Sequence, residues 1–117
     1  MRPPEWNRLI FGEESLPLEE TMPHIQQIPL KNGSALGISV ELPLAPVVMI
    51  MAPKGFAMCG YLNMESVNKM GEVAVRATGV KTFDDLLNAN VQNVSDKARE
   101  LGITEGQTAR EALERMF

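Results

Sequence analysis

Proline constrains this chain of 117 residues more than any other residue type, because all eight prolines lie between Pro3 and Pro53. Proline lacks a backbone N–H and is excluded from helix interiors, so we expect the first half to form strands, turns and extended segments. The second half carries no proline and is free to form helices. The asymmetry predicts an α+β fold in which the strands precede the helices.

The first half divides into an arm and a β region. Residues 1–23 carry scattered apolar side chains without a sustained period and are predicted to form an irregular arm. Strands are predicted over 25–30, 47–52 and 56–62, the last two as a hairpin around a turn at 52–55. A further strand is indicated by four apolar residues that alternate with smaller or polar ones: Leu36, Ile38, Val40 and Leu42. The run over 47–52 is apolar at every position, so we expect it to be covered on both faces.

The second half carries helix signals at short intervals. Helices are predicted over 63–70, from Thr82 to 88, and from Thr108 onward, each with a capping residue or a terminal glycine. A brief β-like run is indicated at 72–77. Asn90 is a candidate N-cap for another helix, whose buried stripe would be Val91, Val94, Ala98 and Leu101.

The predicted architecture is an N-terminal antiparallel sheet of about four to five strands, followed by three to four short helices packed on it. We expect a single domain over residues 24–117, of which 24–62 is mainly β and oligomerising and 63–117 is mainly helical. One core suits a chain of this length.

Composition narrows the class of function. The net charge is −4, so nucleic acid is not expected as a partner. One cysteine and one histidine argue against an internal disulfide, a metal site or a cysteine-based zinc cage, and no motif indicates a cofactor. The N-terminus does not resemble an export signal, and the longest apolar run, 45–53, is too short to span a membrane. We therefore expect a cytoplasmic protein without membrane contact.

Cys59 is the candidate catalytic residue, because it is the only thiol. A nucleophilic thiol needs a neighbouring cation, base or helix N-terminus. Gly60 would allow a ligand to approach it, and Lys54, Arg76 or Lys81 could supply the charge. His24 could pair with Cys59 only through the tertiary fold or between subunits. The alternative is that Cys59 is a small buried residue of a core strand.

A second candidate site binds an anion where a predicted strand leads into a helix. Its residues would be Arg76, Thr78, Lys81 and Thr82, with free backbone N–H groups at the helix N-terminus. The alternative is an ordinary capped connection, because Asp84 and Asp85 already complement the helix dipole. The full set of candidate ligand-binding residues is Lys54, Gly60, Asn63, Arg76, Thr78, Lys81 and Thr82.

Three segments also resemble, in order and spacing, the signature of a known family. They are PKGFAMCGYLN at 53–63, RATGVKTFDDLL at 76–87, and the ending from Glu100 to Met116. They are similar to the YunC-like family of bacterial and archaeal domains of unknown function. The resemblance covers roughly residues 25–117 and implies an N-terminal β region that forms a tetramer, followed by a helical part. The chain departs from the family pattern at Asn63, where an aspartate is expected, and at 107–109.

Two functional hypotheses follow. The first is a self-assembling domain that binds a small anionic metabolite or a protein partner. Its apolar strands need cover, and the methionines around the hairpin would fill the core or a subunit interface: Met49, Met51 and Met58. The second is a thiol-dependent enzyme or redox sensor that uses Cys59. Whether the chain is an enzyme stays open at this point.

Overall fold

The computed structural model describes residues 24–117, and the arm predicted for residues 1–23 lies outside the described residues. The described chain forms a six-stranded sheet in the order β1-β2-β3-β4-β5-β6 with four short helices. The strands are β1 (His24–Pro29), β2 (Ser34–Val40), β3 (Val47–Ala52), β4 (Gly55–Met58), β5 (Ala74–Arg76) and β6 (Asn93–Val94). The helices are α1 (Met64–Met70), α2 (Phe83–Asn88), α3 (Asp96–Glu100) and α4 (Ala109–Glu114).

The sheet confirms the α+β class and extends it. Strands β1 to β4 form the predicted antiparallel sheet, with β3 and β4 as a hairpin. Strand β5 then pairs with β4 in parallel, and β6 pairs with β5 in antiparallel fashion. The sheet therefore has six strands rather than four or five and is mixed, because the segment with α1 crosses over and returns the chain beside β4.

Local capping chemistry defines the predicted helix starts. The Asn63 side chain accepts hydrogen bonds from the N–H groups of Glu65 and Ser66, at 3.0 and 3.2 Å. Thr82 caps α2 and Thr108 caps α4 in the same way. These contacts involve only residues two or three positions apart, which is why the sequence shows them.

The helix predicted to begin at Asn90 is wrong. Asn90 forms a β-bridge with Thr108, and the N–H of Val91 donates to the carbonyl of Gln107 at 2.8 Å. Val94 lies in β6, and α3 is capped only afterwards, by Ser95. Apolar residues at this spacing are buried equally well by extended chain at the sheet edge, so the helical period was not decisive.

The fourth strand is also shorter than predicted. It ends at Met58 rather than Leu62, and the chain turns so that the N–H of Leu62 donates to the carbonyl of Cys59 at 3.2 Å. Within this turn Cys59 still lies beside β3, because its N–H donates to the carbonyl of Val48 at 3.0 Å, whereas Tyr61 is 51% exposed.

The helices cover one face of the antiparallel strands, which we call the inner face. Helix α2 packs against β3, and α4 packs against β4. Close approach is achieved at Gly37, where a Cβ atom would lie 2.9 Å from Cε1 of Phe83. The side chains of this face are buried: Ile28, Ala35, Val48, Ile50 and Ala57.

The opposite face, the outer face, also carries apolar side chains. Cross-strand partners share a face, so the register defines two rows on it. One row is Ile25, Ile38, Met49 and Met58, and the other is Gln27, Leu36, Met51 and Phe56. Among residues 24–117 nothing fully covers this face, because Ile25 is 65% exposed and both Leu36 and Met51 are 38% exposed. The expectation that β3 is covered on both faces is therefore met on the inner face alone.

Candidate functional site

A pocket lies where the loops after β4 and β5 meet. Because these strands are parallel neighbours, the loops that follow them lie at the same edge of the sheet, a common place for ligands. The start of β3 reaches this edge too, since β3 runs antiparallel to β4. The pocket has a volume of about 270 Å³. We call it the β4–β5 pocket, and it is lined by Ala45, Pro46, Cys59, Gly60, Tyr61, Gly79, Val80 and Lys81.

Two hydrogen bonds and one close approach hold the three lining segments together. The N–H of Cys59 donates to the carbonyl of Val48 at 3.0 Å, and the hydroxyl of Tyr61 donates to the carbonyl of Ala45 at 3.4 Å. A Cβ atom on Gly60 would lie 3.1 Å from Cγ2 of Thr78, so a larger residue would separate the loops. The walls of the pocket are therefore fixed by the sheet and its loops.

Cys59 lines this pocket and is 3% exposed. Its Sγ accepts a hydrogen bond from the N–H of Val48 at 3.4 Å, and it belongs to the main apolar core. His24 lies on β1, which is separated from β4 by two strands, so it does not approach Cys59 within one chain. This environment is typical of a structural cysteine.

Lys81 lines the pocket, whereas the helix that follows satisfies its own N-terminus. The N–H of Lys81 donates to a carboxylate oxygen of Asp85 at 3.2 Å. The N–H of Asp85 in turn donates to Oγ1 of Thr82 at 3.0 Å. The first turn of α2 is thus occupied by its own side chains. Within the described part of the chain, Lys81 alone contributes a positively charged side chain to the pocket lining.

The other predicted binding residues lie outside the pocket lining. Arg76 donates from Nη1 to the carbonyl of Leu62 at 3.2 Å, and Thr78 donates from Oγ1 to the Gln92 side chain at 2.6 Å. Asn63 is engaged as the cap of α1, and Thr82 as the cap of α2. Lys54 lies at the opposite end of β4, where its N–H donates to the carbonyl of Met116 at 2.8 Å. Of the predicted site residues, the structure brings Cys59, Gly60 and Lys81 together.

The sequence reasoning missed one wall of the pocket, formed by Ala45 and Pro46, and the side chain of Tyr61. A signal for that wall was present. In a hairpin of β3 and β4, the residues just before β3 must lie beside those just after β4. Tyr61 had no comparable signal, because its position in a turn appears only in the tertiary structure.

Residues 24–117 contain no group of three or more histidine, cysteine, aspartate or glutamate side chains placed to hold a metal ion. No helix in this range is long and apolar enough to cross a membrane.

The fold and the pocket define a small α+β domain whose mixed sheet carries a pocket at the ends of its two parallel strands. A family model described as "Domain of unknown function (DUF1805)" matches residues 58–116, which contain the two lining segments after β4 and β5. The chain belongs to this family.

Two relatives support the assignment. The chain is 34% identical over 100 residues to the uncharacterized protein YunC of Bacillus subtilis (strain 168), covering 82% of this chain and 99% of YunC. It is also similar to the crystal structure of a protein of unknown function, TA1206, from Thermoplasma acidophilum. The TM-score is 0.79 at 41% identity, over 82% of this chain and 94% of that one. The YunC-like resemblance seen in the sequence is thus confirmed.

Proposed function

We propose that this chain is a cytoplasmic, self-assembling domain that binds a small anionic ligand in the β4–β5 pocket. The observation that carries the proposal is the outer face, where two apolar rows cross the antiparallel strands without full cover from residues 24–117. Large exposed apolar patches mark interaction sites, and homo-oligomer interfaces are apolar. The family resemblance supports a tetramer as the product.

The face suits a second copy of the same chain. Its rows are made of aliphatic, methionine and phenylalanine side chains with Gln27 as the one polar member, so it offers shape and apolar area rather than charge. Such a face matches another apolar face, which a second copy supplies. A different protein partner of the same chemistry is the alternative occupant.

The assembly is tested by paired lysine substitutions measured by light scattering and sedimentation at micromolar concentration. Met51→Lys places a charge in the outer face, and we expect the variant to shift toward a monomer. Met70→Lys is the matched control, because Met70 is 76% exposed on α1 and belongs to neither row. A wild-type protein that is monomeric at micromolar concentration would contradict the assembly.

The pocket supports the ligand-binding part of the proposal. It joins residues from the loop before β3 and from the loops after the parallel strands β4 and β5, and among residues 24–117 Lys81 is the only charged residue that lines it. A lysine ammonium at the wall of a mostly apolar pocket favours a negatively charged group on the ligand.

The thiol-dependent enzyme or redox sensor is the alternative, with Cys59 as the reactive group and Lys81 as its cation. It gains no support from the burial of Cys59 or from its place in the core. Protection of this thiol from alkylation in the folded protein would count against it.

A further inference from the structure

The lining of the β4–β5 pocket combines one charged residue, Lys81, with mostly apolar neighbours. Lys81 is charged, whereas Ala45, Pro46 and Val80 offer only hydrocarbon side chains. The hydroxyl of Tyr61 donates its one proton to the carbonyl of Ala45 at 3.4 Å, so it offers an acidic group on a ligand no donor, and its ring adds apolar surface to the wall. A ligand that matches this lining has one acidic group and an apolar body.

The surrounding charges favour a singly charged ligand. One Lys81 ammonium compensates one negative charge. The carboxylate of Asp85 accepts from the Lys81 N–H at 3.2 Å, and Asp84 precedes it in the first turn of α2. These carboxylates lie outside the pocket lining and repel any anion, but they repel a dianion more strongly than a monoanion. A phosphate dianion is therefore a poorer match than a monocarboxylate.

The size of the pocket limits the length of that ligand. Its volume of about 270 Å³ lies just below the range of about 300–1,000 Å³ that is usual for drug-sized ligands. A short hydrocarbon chain fills this space, whereas most of a nucleotide or a coenzyme would lie outside it.

On the basis of the proposed anion-binding function, we propose that the β4–β5 pocket binds a short-chain aliphatic monocarboxylate. Its carboxylate pairs with Lys81, and its hydrocarbon chain packs against Pro46 and Val80. The class of ligand thus follows from one cation set in an apolar wall.

The test is calorimetric titration of the full chain with acetate, butanoate, hexanoate, hexan-1-ol and inorganic phosphate. We expect affinity to rise about fourfold for each methylene group that enters the pocket. Hexanoate should bind roughly tenfold more tightly than hexan-1-ol, because the alcohol cannot form the charged pair. Lys81→Met should remove that difference, and Lys54→Met is the matched control because Lys54 lies at the opposite end of β4.

The outcomes separate this inference from the function on which it rests. Two outcomes would overturn the monocarboxylate ligand: equal affinity for acetate and hexanoate, or tighter binding of phosphate than of hexanoate. If that binding depends on Lys81, the anion-binding site itself still stands. Hexanoate binding that is unchanged in Lys81→Met overturns the site itself. The absence of binding by every anion at millimolar concentration overturns both proposals.

Discussion

The two faces of strands β1 to β4 carry similar apolar side chains but differ in what covers them. Ile50 on the inner face is fully buried, whereas Met51, the next residue on β3, is 38% exposed on the outer face. The difference arises because α2 and α4 pack on the inner face and leave the outer face without full cover from residues 24–117. An apolar strand thus shows that both of its faces can be buried. Which face is buried within the chain is decided by where helices distant in the sequence pack.

The largest expected effect comes from truncating one residue on each face of β3. Ile50→Ala should lower the free energy of unfolding by about 2–5 kcal/mol, because it leaves a cavity in the core. Met51→Ala, on the outer face, should cost less than about 1 kcal/mol at concentrations where the chain is dissociated, because Met51 is 38% exposed. Urea unfolding at low protein concentration measures both. Equal losses would show that the outer face is covered within the chain itself.

A smaller effect tests how the inner face keeps its cover. Thr82 caps α2 by accepting the N–H of Asp85, and α2 is the helix that packs against β3. Thr82→Ala should reduce stability by about 1 kcal/mol, because the N–H of Asp85 loses its acceptor. Thr82→Ser keeps the hydroxyl and should retain most of that stability. Thermal unfolding of the pair gives the comparison, and equal losses in both variants would exclude the cap as the cause.

The smallest effect concerns a surface pair on neither face of the antiparallel strands. The Arg99 guanidinium hydrogen-bonds the Glu105 side chain, with Nη1 at 3.0 Å from Oε2, and this holds the pKa of the Glu105 carboxyl below its usual value. A carboxyl group whose pKa is lower in the folded than in the unfolded protein stabilises the fold at pH values above its unfolded-state pKa. That stability is lost as the pH falls through the folded-state pKa. We expect Arg99→Gln to be slightly less stable than wild type at neutral pH.

That difference should vanish in acid and shrink in salt, because the pair is exposed to solvent. The pH dependence of the urea midpoint measures it. If the two proteins still differ in stability at a pH low enough to protonate Glu105, the effect comes instead from the packing of the arginine stem.

How far the sequence predicts this molecule depends on the range of each contact. Asn63, Thr82 and Thr108 were recognised as helix starts because their partners are two or three residues away. The segment at Val91 and Val94 is predicted as a helix but forms extended chain. Its partners are distant in the sequence: Thr108 pairs with Asn90 in the bridge, and Val75 of β5 pairs with Val94. Of the pocket lining, the sequence indicates Cys59, Gly60 and Lys81. It also groups two other residues with them: Lys54, which lies at the opposite end of β4, and Arg76, whose guanidinium donates to the carbonyl of Leu62 instead.

The sequence by itself determined the strands β1 to β4, the starts of α1, α2 and α4, and the family. Prolines, capping side chains and alternating apolar residues act on the backbone over a few positions, so their effects are visible without a fold. The tertiary structure alone decided that β5 and β6 join the sheet, that three loops meet in the β4–β5 pocket, and that one apolar face stays uncovered by residues 24–117. The physical reason is that pairing and burial join residues far apart in the chain, and local propensity carries no record of those partners.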